Sequence, residues 1–169
     1  MSNYKTKKDE ISGIVSEPMV AYNANFLPKF SSSILYGNQV KVPEYQLVSL
    51  EKMKLLKTGL SKINLEKLKA RASLDYDKLA KALSVTRATL INAKGDEKYS
   101  STVSERILAL SDLYSYGYKV FEDELKFNNW MFTINQALGN KIPFDIVDNQ
   151  FGREEIKNIL GRIEYGVYS

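Results

Sequence analysis

From residue 46 onward, apolar positions recur at spacings of three and four, and no stretch sustains an alternation of period two. That period belongs to helices, so the chain reads as all-α, with seven to nine helices and no internal repeat. Leu47, Leu50, Met53 and Leu56 or Lys57 fall three apart with Lys and Glu between them. Gly59 follows where a helix-ending glycine belongs. Ile63, Leu65, Leu68 and Ala72 mark the next helix. Asp75 suits the N-cap of a helix from Tyr76 to Leu83, whose buried side is Leu79, Ala80 and Leu83. Thr86 suits the N-cap of the helix after it, with Leu90 and Ala93 facing inward and Gly95-Asp96 ending it.

Further on, Thr102-Val103-Ser104-Glu105 has the form of a capping box before an apolar run. Val103, Ile107, Leu110, Tyr114 and Phe121 then predict one long helix ending near Phe121 or Glu122. Trp130, Met131, Ile134 and Leu138 suggest another helix, stopped by Gly139, with Trp130 in the core of the C-terminal half. Pro143 suits the first turn of a short helix from Phe144 to Asn149. The last helix runs from about Arg153 to Tyr165, with Gly166 as its cap. Residues 1–45 carry weak periodicity. Pro18, Pro28 and Pro43 punctuate them, with Ser31-Ser32-Ser33 and Gly37-Asn38 between, and they read as a partly ordered arm. Three regions result: the arm at 1–45, a region at 46–122 built around the long helix, and a small helical domain at 123–169.

The stretch Leu79 to Lys94 is two short helices joined by a tight turn, the plan of a helix-turn-helix. Ala80 is small where the helices must approach closely. Ser84 stands in the turn, where Gly is commoner, and Val85 and Leu90 are apolar where the pair packs. Projecting the second helix turns Thr86, Arg87, Thr89, Ile91, Asn92 and Lys94 away from the core. Arg87 can pair with guanine and Asn92 with adenine, while Thr86, Thr89 and Lys94 can hold phosphates. The competing reading is an ordinary αα-hairpin with solvated polar residues.

Composition narrows the chemistry. The chain has 169 residues, no Cys and no His, so disulfides, thiolate or imidazole metal sites and the common nucleophile–base pairs are unavailable. With no glycine-rich phosphate loop either, an enzyme is not expected, nor any catalytic residue, cofactor or metal. No apolar run approaches membrane-spanning length and no secretory signal is visible, so a cytoplasmic protein is the expectation. Residues 1–100 hold 17 Lys/Arg against 10 Asp/Glu, whereas residues 101–169 hold 7 against 10. A basic front and an acidic back suggest two surfaces with different partners.

The end of the chain is patterned too. Arg162, Glu164 and Tyr165 close the last helix, and Gly166-Val167-Tyr168-Ser169 projects beyond it with an aromatic and a carboxylate suited to a partner's pocket. Arg162 serves either an acidic partner or an internal brace; the alternative for the whole end is a stray tail with Tyr165 packed on its own helix. Helix-turn-helix proteins commonly bind paired half-sites, so a homodimer is expected, with the arm before Pro43 and the long helix at Tyr114 and Tyr118 as candidate contacts.

From about Met53 to Ser169 the chain resembles the Xre/MbcA/ParS-type antitoxins, partners of RES-domain toxins. The likeness rests on Met53 to Leu60 with its closing Gly-Leu, the helix-turn-helix, and Ser104-Glu105-Arg106 at the long helix. It continues through Trp130, Asn135 to Gly139, Pro143, Asp145, Asp148 and Gly152 to Arg162-Ile163-Glu164-Tyr165-Gly166. Thr133-Ile134-Asn135 replaces the family's Pro-Asn, and Asn140 replaces a second Gly. The resemblance implies an antitoxin whose C-terminal domain covers the active site of an NAD-degrading or ADP-ribosylating toxin. Arg162, Glu164, Tyr165, Gly166, Val167, Tyr168 and Ser169 would touch that toxin, and operator DNA would bind at the helix-turn-helix to repress the operon. The alternative is a plain helix-turn-helix regulator whose C-terminal half dimerises or senses a ligand.

Overall fold

A computed structural model describes residues 32–167. Seven α-helices form and no strand does among these residues: α1 Ser49–Thr58, α2 Lys62–Arg71, α3 Tyr76–Ala82, α4 Arg87–Asn92, α5 Ser101–Phe121, α6 Glu124–Trp130 and α7 Gln150–Glu164. Short 3-10 turns stand at Glu44–Gln46, Gln136–Leu138 and Pro143–Ile146. None of the described helices is long and apolar enough to cross a membrane.

The long helix α5 is the axis of the molecule. Val103, Ile107, Leu110 and Tyr114 are buried as their spacing predicts, but so are Leu108, Leu113 and Tyr118. Burial therefore extends well beyond one stripe. Tyr114 and Tyr118, four residues apart, meet Phe127 of α6 edge-on at 5.3 and 5.6 Å. This places both tyrosines in the core and removes them as dimer contacts. Tyr116 points the other way, toward the end of α7. The Tyr114 hydroxyl has no hydrogen-bond partner, and burial raises its pKa. Trp130 is half-buried and stacks on Phe127 at 5.8 Å.

Two glycines set how close the elements come. A Cβ on Gly117 would lie 2.2 Å from the Phe127 ring, so α6 reaches α5 only because residue 117 has no side chain. A Cβ on Gly152 would lie 1.6 Å from the carbonyl oxygen of Ile146, which fixes the start of α7 against the Pro143–Ile146 turn.

Residues 32–47 pack into this body: Ile34 and Leu35 are fully buried. The buried carboxylate of Glu44 holds that turn, accepting from Ser33 Oγ at 2.5 Å and from the backbone N–H groups of Ile34 and Leu35 at 3.0 and 2.9 Å. Residues 1–31, including Pro18, Pro28 and most of the expected arm, lie outside the described residues.

Three expectations need correction. Helix α5 starts at Ser101, capped by Ser100, whose hydroxyl accepts from Val103 N–H; Thr102 and Glu105 already lie inside the helix. The apolar set Trp130, Met131, Ile134 and Leu138 is not one helix. Asp123 caps α6, which ends at Trp130; a pairing of Asn135 with Lys141 then pinches the chain back on itself, and Ile134 is 65% exposed. Finally, Leu50 and Met53 of α1 face solvent at 69% and 52% exposure, while Leu55 and Leu56 pack inward.

The turn between α3 and α4 follows directly from its residues. Ser84 has φ 49°, the left-handed conformation that favours glycine, and Val85 and Ser84 N–H return to the carbonyls of Ala80 and Lys81 at 3.0 and 3.1 Å. Arg106 of α5 donates from Nη1 to the carbonyls of Leu83 and Ser84 at 2.9 and 2.7 Å, clamping the turn from below.

Gly117→Ala should lower stability by about 2–3 kcal/mol through overpacking against Phe127. Gly161→Ala, whose Cβ would meet only the Tyr116 hydroxyl at 3.6 Å, should gain about 0.5–1 kcal/mol. Urea unfolding of the pair checks this contrast. Arg106→Ala should cost about 1–2 kcal/mol. Hydrogen exchange should show faster amide exchange concentrated at residues 83–86; uniform protection across the turn would remove the clamp.

Candidate functional site

Helix α4 is short and held at both ends. Thr86 caps it, accepting from Thr89 N–H at 3.1 Å, as its sequence position predicts. At the other end, Tyr99 donates its hydroxyl to the Leu90 carbonyl at 2.9 Å, and Lys62 Nζ donates to the Ile91 carbonyl at 2.5 Å. These side chains satisfy carbonyls that a helix end leaves open. Leu90 alone is buried in α4. With the helix so fixed, Thr86, Arg87, Thr89, Asn92 and Lys94 are all exposed.

Those side chains are not equally free. The hydroxyls of Thr86 and Thr89 bond each other at 2.8 Å. Arg87 Nη1 stands 3.4 Å from Asp77 of α3, with both side chains largely exposed. An exposed pair of this kind is worth little and opens readily to a competing acceptor. The backbone N–H of Lys94 is held by the Glu97 carboxylate at 3.1 Å, so the loop after α4 is shaped while the Lys94 side chain lies exposed.

The C-terminal residues behave differently. Helix α7 ends in a Schellman motif: Gly166 N–H bonds the Ile163 carbonyl at 3.2 Å, and Val167 N–H bonds the Arg162 carbonyl at 2.9 Å. Gly166 has φ 67°, which residues with a Cβ adopt at a cost. Arg162 pairs with Glu155 at 3.7 Å, the internal-brace alternative. The Glu164 carboxylate accepts from the Tyr116 hydroxyl at 2.7 Å and pairs with Lys119, so it fastens the end of α7 to α5. Tyr165 and Val167 are exposed at 78% and 57%. Tyr168 and Ser169 lie outside the described residues.

The two regions touch. Ser84 Oγ donates to the Asp148 carbonyl at 3.1 Å, and Lys81 pairs with Asp145 at 2.8 Å. Lys78 and Lys81 also sit over the rings of Phe132 and Phe144, at 5.3 and 5.9 Å. Below this contact, Arg153 donates to the Val147 carbonyl at 2.9 Å. Burial lowers the Arg153 pKa, and the neighbouring charge of Arg106 lowers it further.

Sequence reasoning missed three of the residues that organise this surface. Arg106 was visible only within Ser104-Glu105-Arg106, and its reach to a turn 22 residues earlier has no local signal. Asp112, buried in α5, bonds Lys52 of α1 at 2.6 Å and also pairs with Lys157 of α7. Phe151 is exposed at 81% on α7. An aromatic among Gln150, Arg153 and Glu154 was its signal, but the helix was expected to start after it. Among the described residues, no group of acidic side chains is arranged to hold a metal ion.

Residues 117–166 match the family described as the antitoxin Xre/MbcA/ParS C-terminal toxin-binding domain. That span takes in the end of α5, α6, the turns after it and all of α7 with its cap. The chain is also 25% identical over 116 residues to a protein of Yersinia enterocolitica serotype O:8 / biotype 1B named Antitoxin Xre. The alignment covers 68% of this chain and 78% of that protein. The part of the chain that packs beside the α3–α4 pair is thus similar to the C-terminal toxin-binding domain of the Xre/MbcA/ParS antitoxins.

Proposed function

We propose that the chain neutralises a RES-domain toxin by covering its active site with residues 123–169, and represses its own operon through α4. The observation that carries this reading is the outward chemistry of the two halves. One half presents Arg87, Asn92 and Lys94 around a single buried leucine. The other lies in the toxin-binding span, turns Tyr165 to solvent and leads directly into the exposed Val167. The RES-type partner is supported by the order of motifs from Met53 to Gly166.

On DNA, α4 would enter the major groove. Arg87 would leave Asp77 for guanine, Asn92 would read adenine, and Lys94 would meet phosphate. Thr86 and Thr89 would add phosphate contacts at the N-terminal edge. A homodimer would set two such helices on paired half-sites. At the other surface, the segment Gly166 to Ser169 would shield the toxin's cofactor pocket, which must offer donors to a pyrophosphate. Glu164 would contribute by position, since Lys119 and Tyr116 engage its carboxylate. Arg162, paired with Glu155, would brace the last turn from which the segment leaves. In this role the chain is a binding protein with no reaction of its own.

Arg87→Ala should weaken binding to the chain's own promoter by about 1–3 kcal/mol and binding to random DNA by less. Lys94→Ala should weaken both alike and flatten the salt dependence. Titration of both variants by fluorescence anisotropy checks this, and an Arg87→Ala protein that binds its promoter like wild type overturns the α4 assignment. Deleting Gly166 to Ser169 should restore toxicity in cells co-expressing the RES-domain toxin while promoter binding persists. A truncated chain that still protects the cells eliminates the shielding segment. A chain that binds its promoter but no toxin is a plain regulator.

A further inference from the structure

Helix α7 is buried on one side and uncovered on the other. Gly152, Ile156, Ile159 and Leu160 face α5 and the Pro143–Ile146 turn. The opposite side runs Phe151, Glu155, Asn158, Arg162 and Tyr165, a spacing of three and four that puts them on one stripe. An aromatic side chain closes each end, Phe151 at 81% and Tyr165 at 78% exposure. Between them lies the Glu155–Arg162 ion pair.

Neither aromatic belongs to the core cluster, and most of each ring's surface faces water. Large aromatic side chains bury about 150–250 Å² each when covered, so two such rings in water are a considerable unrealised gain. They are also the residue types that anchor interfaces when seated in pockets. Helical rise over the 14 steps from Phe151 to Tyr165 places them about 21 Å apart. Being on one rigid helix, they are held at that spacing before any partner arrives.

We infer that this stripe of α7 is the docking face for the toxin, with Phe151 and Tyr165 as anchors in two apolar pockets and the Glu155–Arg162 pair on the polar ground between them. The inference rests on the proposed antitoxin function and names its contact surface. Two observations select the toxin as occupant. The stripe lies inside the span matched to the toxin-binding domain. It also runs without interruption through Tyr165 into Gly166 and Val167, so a partner that takes the shielding segment must pass over its end. A second copy laid antiparallel would set Phe151 against Tyr165 and Glu155 against Arg162. The two anchors supply about 300–500 Å² per copy, about 600–1,000 Å² over both, so such a pair needs further surface to reach the roughly 1,200 Å² total of a specific interface.

The test uses the full chain with Phe151→Ser, Tyr165→Ser and the double substitution, and Leu50→Ser as a control. Leu50 is an apolar residue of α1, 69% exposed and outside residues 117–166. Circular dichroism and thermal melting verify that each variant folds. Affinity for the RES-domain toxin of its operon is measured by biolayer interferometry, promoter binding by anisotropy, and size by light scattering. Each single substitution should weaken toxin binding by about 10-fold or more and the double by about 100-fold or more. Promoter binding and size should not change, and Leu50→Ser should stay within about threefold of wild type, since Leu50 makes no anchor contact. A double variant that holds the toxin within threefold overturns the inference and leaves the antitoxin reading standing. A change of oligomeric state in the toxin-free double variant assigns the stripe to a second copy instead. Loss of affinity in Leu50→Ser equal to that of the double variant also overturns the stripe. A wild-type chain that binds no toxin removes the parent reading and this inference together.

Discussion

Everything in the molecule is arranged around α5, and a helix can be buried so completely only if its polar groups find partners. Ser104 accepts from Leu60 N–H and donates to the Tyr99 carbonyl. Ser115 accepts from Tyr45 N–H and donates to the Asp112 carbonyl. Asp112 receives Lys52 from α1 and Lys157 from α7. An unpaired buried carboxylate is costly, so this one group draws the two lysines together from opposite ends of the chain. The serines do the same for the loop after α1 and the turn before it. Apolar packing makes the core, and these bonds decide which element occupies which side of α5.

That arrangement puts the two candidate surfaces on one body. The turn of the α3–α4 pair is clamped by Arg106 from α5 and touched by Asp148 from the loop ahead of α7. Gly152 fixes that loop against the start of α7, and α7 carries the exposed C-terminal end. Covalent distance between the surfaces is long, but the contact path between them is short. Their chemistry stays distinct: cationic and amide groups on α4, aromatic and aliphatic groups at the end of α7.

Much of this was legible in the residues because it is local. Asp75, Thr86 and Gly59 mark helix boundaries by chemistry that acts within three or four residues: the first two start a helix and the third stops one, each where expected. Ser84, read as the residue of the turn where Gly is commoner, does take the left-handed conformation there. What failed was non-local. Leu50 and Met53 have helical spacing, yet nothing in their spacing says which side another helix will cover. Tyr114 and Tyr118 looked available until Phe127 arrived over Gly117. Trp130 to Leu138 kept a helical period through a turn, since Asn135 and Lys141 pair only in three dimensions. For the candidate site, the exposed set on α4 followed from one buried leucine. Phe151 did not, because its meaning depends on what α7 packs against.

Under the proposed function, one chain would hold a toxin with one surface and DNA with the other. Mass photometry of the antitoxin mixed with the RES-domain toxin and a labelled promoter fragment tests it directly. The account predicts a species whose mass contains all three components. Toxin and DNA that each bind the antitoxin but displace one another would contradict it.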